Sequence, residues 1–335
     1  MAPRRRAPAG RDRASVGGRA TRSTDVIVKH QFTPASMWPY ARFEIVLGMI
    51  SSAVAWLLVA QLGVHQVALP ATLATVTGTA LSILLAVRVN TAYQRWWEAS
   101  GTWAQILGAS RTLVRVVVAV TDAKTAADPV AVAAFQRDVA RRQTAYVTAL
   151  RLQLRGQLDA MGRSELAAHL SAEETPTVAT ADNPATVLLA GQSRRIFAAF
   201  GAGILAGFDN FQMEVALAAI AVQQGLAERI AMQPVPRTYA VFTRYLVHLY
   251  VAVFPFTILA AAAHDQWTVI PATLIVAFAF RMLERIGTVV EAPFGGTVQD
   301  VPLTAITTIL ERDLLELVGD PERPAPPRPV AGYLW

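Results

Sequence analysis

The stretch AVRVNTAYQRWWEAS (residues 86–100) decides how this chain is read. It ends a long uncharged run and places Arg88, Asn90, Arg95, Trp96, Trp97 and Glu98 within eleven residues. Tryptophans beside arginines make up a membrane–water interface, where the amphipathic rings sit at headgroup level and the cations stay inside. On composition the cluster is the anchor at which a helix leaves a bilayer. Direct contact with a translocated ion is the alternative.

Working outward, no Lys or Arg occurs between Arg42 and Arg88, and none between Arg244 and Arg281. Each window is long enough for two crossings at about 20 residues per helix. QLGVHQVALP (61–70) divides the first window and AHDQW (263–267) the second, with Pro70 suited to the first turn of a helix. The expected spans are 43–62, 70–88, 244–262 and 268–286. The two dividing loops carry no cation, whereas 1–42, 88–243 and 281–335 are basic. The positive-inside rule therefore puts both termini and the middle segment on the cytoplasmic side.

Composition agrees. Of 335 residues 53% are hydrophobic and 16% charged, against about a quarter charged in an average soluble domain. The net charge of +6 comes from arginines that flank apolar runs, which assigns them to topology and not to nucleic acid. The absence of cysteine removes disulfides, thiolate metal sites and thiol catalysis. Residues 1–25 have too few large apolar side chains to offset ordering entropy and read as a disordered basic tail. Their Arg-rich, acid-poor bias also fits an organellar transit peptide, so a plastid membrane is the alternative to a bacterial inner (plasma) membrane. Residues 318–335 form a Pro-rich C-terminal tail.

The middle segment, 89–243, shows apolar spacing near 3.6 over 100–120, 130–155, 186–203 and 211–231, with 170–186 as a polar connector. The fold class is an all-α membrane protein of four transmembrane helices continued by a helical cytosolic body. Burying such helices below the bilayer favours an oligomer.

Catalytic constellations are missing: no paired histidines at metal spacing, no P-loop, no dinucleotide fingerprint and no nucleophile elbow. Neither enzyme chemistry nor a cofactor or metal is expected. Glu284 and Glu291 share a helical face near the end of the fourth span, as an ion-paired helix end or a carboxylate site on a pathway. Ionisable residues are nearly absent from the span interiors, where proton-coupled transporters place them. Passive conduction of small inorganic ions through a symmetric pore is what remains. The second span, PATLATVTGTALSILLAV (70–87), is hydroxyl-rich and then aliphatic. Thr79, Ile83 and Val87 stack on one face about 6 Å apart. Repeated about an axis they make rings able to gate by dewetting; ordinary helix packing is the alternative.

RVNTAYQRWWEASGTWAQILGASRTLVR (88–115), LAERIAMQPVPRTYAVFTRYLVHLYVAVFPF (226–256) and ERIGTVVEAPFGGTVQDVPLTAITTILERDLLEL (284–317) resemble the bestrophins, in the family's order. The resemblance covers most of 40–317 and implies a channel domain over 26–317, a homopentameric channel in a lipid bilayer with a narrow neck and a second, cytosolic constriction. Counted back from Arg95, the neck positions fall on Thr79, Ile83 and Val87. Family necks carry bulkier residues, so a wider or wetter neck is expected here. The cytosolic aperture falls nearest Phe211. Animal members bind calcium through an acidic run after the PFG element. Here Pro293, Phe294 and Gly295 precede GTVQD, with Asp300 the only carboxylate, too few for a hard cation. Calcium-independent anion conduction is the expectation; a cation-conducting or non-selective pore and a non-conducting membrane scaffold are the alternatives.

Overall fold

The computed structural model describes residues 34–123, 128–233, 235–259, 266–297 and 299–329. The basic tail at 1–25, the centre of the second dividing loop (263–265) and residues 330–335 lie outside the described residues. The described residues form ten α-helices and no strand. The helices are α1 (Pro34–Trp56), α2 (Ala71–Asp122), α3 (Pro129–Leu154), α4 (Ala160–Ala167), α5 (Thr175–Ala179), α6 (Pro184–Gly201), α7 (Asp209–Met232), α8 (Arg237–Ile258), α9 (Val269–Val290) and α10 (Leu303–Leu317).

The main departure from the expected layout is α2. The second span and the helix over 100–120 are one continuous helix of 52 residues. At 1.5 Å per residue it runs about 78 Å, more than twice the roughly 30 Å of a hydrocarbon core. No proline interrupts it, and the polar cluster at 88–98 keeps helical spacing, so nothing at the interface breaks the backbone ladder. Pro70 takes the capping position just before it.

Local signals account for the starts of α3 and α6. Asp128 accepts from the Val130 amide at 3.0 Å, and Asn183 from the Thr186 amide at 2.9 Å. Each is followed by a proline in the first helical position, the N-terminal pattern that a missing N–H tolerates. The connector at 170–186 contains α5 and the start of α6, so it is a shorter loop than its polarity predicts.

Two packed bodies share α2. In one, Leu81 and Leu85 of α2 pack with Val247 and Val251 of α8 and Ala277 of α9, and Ala55 and Val59 meet Leu259 and Val269 beyond them. Backbones approach closely here, as expected where lipid removes the hydrophobic drive and small residues allow contact. A Cβ on Gly78 would lie 2.5 Å from Tyr250 Oη, whose hydroxyl donates to Ala74 O at 3.2 Å. In the other body Trp103, Leu113, Tyr146, Leu150, Ile196 and Leu310 join α2, α3, α6 and α10 in one core. Buried polar groups set its register: Gln143 Nε2 donates to Ser110 Oγ at 2.8 Å and Tyr146 Oη to Gln224 Oε1 at 3.2 Å.

Length and composition make Trp38–Val59, His65–Asp122, Asp209–Met232 and Thr238–Ile258 candidate membrane spans. Packing divides them differently. Met213, Leu217 and Ile220 of α7 belong to the large core with α2, α3 and α6. Val269 and Ala277 of α9 pack with α1, α2 and α8, although Arg281, Glu284 and Arg285 charge the last turns of α9.

Candidate functional site: the exposed face of α2 and its charged base

The buried positions of α2 in the first body are Ala74, Gly78, Leu81, Leu85, Arg88 and Ala92, three or four residues apart. That seam docks on α8 and α9, and the opposite side is left uncovered. Thr79 is exposed, Ile83 is 61% exposed and Val87 55%. Asn90 lies on the exposed side one turn further down. The three expected neck residues thus share one free stripe on a helix anchored along its back.

Arg88 belongs to the seam and not to the stripe. It is 3% exposed. Its Nη1 donates to Glu284 Oε1 at 3.3 Å and its Nη2 to Thr288 Oγ1 at 3.0 Å, with Glu291 Oε2 at 3.5 Å. Arg281 Nη1 donates to the other oxygen of Glu284 at 2.6 Å, and Arg244 Nε lies 3.6 Å from Oε1. Arg281 Nε also lies 3.3 Å from Glu44 Oε1, which meets His248 Nε2 at 3.0 Å. Glu44 and Glu284 are each 1% exposed. Three arginines and a histidine thus close on three carboxylates from α1, α2, α8 and α9. Unpaired, such groups would be expelled from a low-dielectric site; paired and hydrogen-bonded, they fix how the four helices meet. Of the two readings of Glu284 and Glu291, the ion-paired helix end is the one observed. Sequence reasoning passed over this network, yet its signal was present: Arg88, Arg244 and Arg281 are cations that bound the two windows without Lys or Arg.

The rest of the cluster joins the two bodies. Arg95 donates to Gln233 O at 2.7 Å and to Ile230 O, capping the carbonyl end of α7, where a cation also meets the negative end of the helix dipole. Trp96 Nε1 donates to Gln299 O at 3.1 Å, and Glu98 pairs with Arg229 of α7. Trp97 is 64% exposed and stacks on Tyr93 with ring centroids 6.3 Å apart. Phe211, in the first turn of α7, is exposed with its ring 6.1 Å from that of Phe208. The loop before it turns through Gly203 and Gly207, both at positive φ, a conformation that L side chains resist. Phe211 is not brought together with the α2 stripe; it lies on the second body. Asp300 is buried, and its oxygens accept from the Gly296 and Thr297 amides and from Thr297 Oγ1 at 2.5–3.0 Å, so it closes its own loop.

With this arrangement in hand, the relatives are informative. The family model described as Bacterial/Fungal Bestrophin protein matches residues 35–316. The voltage-dependent anion channel-forming protein YneE of Escherichia coli is 30% identical over 259 residues, covering 77% of this chain and 80% of the relative. A voltage-dependent anion channel-forming protein of Mesorhizobium japonicum is 29% identical over 251 residues, 75% of each chain. The crystal structure of a bestrophin homolog from Klebsiella pneumoniae superposes with a TM-score of 0.74 at 25% identity, over 84% of this chain and 99% of that one. The match spans the α2 stripe, the charged base and the large helical core of the second body, and the chain belongs to the bacterial and fungal bestrophin family.

Proposed function

We propose that the chain is the subunit of a homopentameric channel of the inner (plasma) membrane that passes small anions such as chloride passively and without calcium. Thr79, Ile83 and Val87 form its neck and Phe211 its cytosolic constriction. The α1, α8 and α9 helices cross the bilayer beside the first half of α2, and both termini lie in the cytoplasm. One observation carries the reading: a single helix, held along its back by α8, α9 and the Arg88 network, leaves a stripe with Thr79, Ile83 and Val87 uncovered. Copies arranged about an axis would line a pore with that stripe and continue it into the cytosolic body.

The anion preference is supported by the names of the relatives and by α2 itself. Its free amides and partial positive charge stand at Ala71, one end of the lining. Asp300 supports calcium independence, because its carboxylate is already committed to its own loop. The test is reconstitution of the pure protein in planar bilayers under a chloride gradient. A reversal potential near the chloride equilibrium value, unmoved by calcium, is expected. A potential of the opposite sign would establish a cation pore, and silent bilayers a scaffold.

A further inference from the structure

Away from α2, the second body holds a cleft of about 340 Å³ between α3, α5 and α6, with Arg142, Arg194, Arg195, Glu173 and Glu174 on its polar side and Val178 and Leu188 on its floor. Arg142 is 5% exposed, and its Nε donates to Gln192 Oε1 at 3.2 Å. Gln192 in turn donates to Val139 O at 3.1 Å, so the guanidinium is braced from behind. Gly191 makes room for it, since a Cβ there would fall far inside contact distance of Nη2. Burial pushes this guanidinium below the ordinary arginine value; Asp138 works against the shift, and Arg195 and Arg194 add to it. The group therefore gains from an anion.

The carboxylate it has is Glu174, which pairs with it from the residue preceding α5 and also accepts from Ser171 Oγ at 3.1 Å. A five-residue helix is a weak tether, because so short an element draws little on its own ladder. Behind the Arg142–Glu174 pair a second cleft of about 440 Å³ is lined by Asp138, Glu311 and Glu322 as well as Arg141. Its carboxylates repel a second negative charge; in the first cleft Arg195 Nε faces Asp138 at 3.9 Å and Glu173 adds a charge, but Arg194 and Arg195 at its mouth still attract an anion.

We propose that the α3–α5–α6 cleft binds a small aliphatic dicarboxylate. One carboxylate replaces Glu174 on Arg142 in a forked, charge-assisted contact; the other lies between Arg194 and Arg195, and the methylene chain covers Val178 and Leu188. Glu174 is the internal stand-in for the ligand, and its displacement releases α5. The site is independent of the conduction reading, since none of its residues lies on α2 or in the charged base.

The experiment is calorimetric titration of the full-length protein in detergent with succinate, with acetate and chloride at matched ionic strength. Saturable succinate binding is expected, with acetate about tenfold weaker, the loss of one charged contact. Glu174→Gln should tighten succinate about tenfold, and the double variant Arg194→Gln/Arg195→Gln, both at exposed positions, should weaken it by a similar factor. Hydrogen exchange over 171–180 should rise when succinate binds. Equal heats for succinate and acetate, unchanged affinity in both variants, or unaltered exchange over 171–180 would each overturn the proposal.

Discussion

Arg88 shows how one residue can be conspicuous in sequence and still be misassigned in role. As an isolated letter it is an interfacial anchor; in the structure its guanidinium is buried against Glu284, Thr288 and Glu291. Removing one member of such a group leaves the others charged and unsatisfied, which costs about 3–5 kcal/mol. For Arg88→Met a loss at the low end is expected, because Arg281 and Arg244 still neutralise Glu284. Adding Glu284→Gln should deepen the loss, because Arg281 and Arg244 then lose the carboxylate they share, and thermal unfolding in detergent measures both; a double variant no worse than the single would mean that Glu284 does not hold these arginines together. On the opposite side of the same helix, Ile83 and Val87 are more than half exposed. Enlarging the neck side chains, with Val87→Phe and Thr79→Ile, should lower open probability in single-channel records by narrowing and drying the rings. Unaltered gating would remove the stripe from the pore.

Among the elements, α2 and the C-terminal segment carry most of the argument. The pattern over 88–98 reads as a terminus because it is polar, but charge in a helix is tolerated when partners arriving from elsewhere offset its desolvation. Here α9 supplies Glu284 and α7 supplies the carbonyl end that Arg95 caps. Neither partner is near in sequence, which is why periodicity alone breaks α2 in two. The Pro-rich segment after α10 is held in a similar way. Arg141 Nη2 donates to Asp320 Oδ2 at 2.9 Å, Arg323 pairs with Glu316 at 3.2 Å, and Arg312 donates to Pro324 O. Burial works to raise the Asp320 carboxyl, but the Glu322 amide and Arg141 outweigh it and hold the group below its usual range. A carboxyl depressed in the folded state stabilises above its unfolded value, near 4, and that contribution fades as pH falls through the folded value. Limited proteolysis with an acid-active protease should therefore find residues 320–329 protected at pH 5 and cut at pH 2–3. Asp320→Asn should expose the segment at both, and a segment equally resistant throughout would show that this carboxylate does not hold it.

For the whole molecule, the decisive feature is what one copy leaves uncovered. Exposed Ile83, Val87, Phe211 and Val215 lie on α2 and α7, one set in each body. Native mass spectrometry from detergent is expected to give five copies, and a monomer at working concentration would remove the basis for an axial pore. The sequence by itself determined the helical class, the two windows without Lys or Arg and the stripe over 79–87, because hydropathy and helical period are local properties of the chain. The tertiary structure alone decided that α2 is continuous. It alone decided that α7, apolar enough to span, packs into the large core with α2, α3 and α6, and that the arginines bounding the windows converge on Glu284. Those outcomes depend on which groups meet across some two hundred residues of chain, as Arg88 and Glu284 do. A buried charge of this kind is tolerable only where a partner from another helix is already in place.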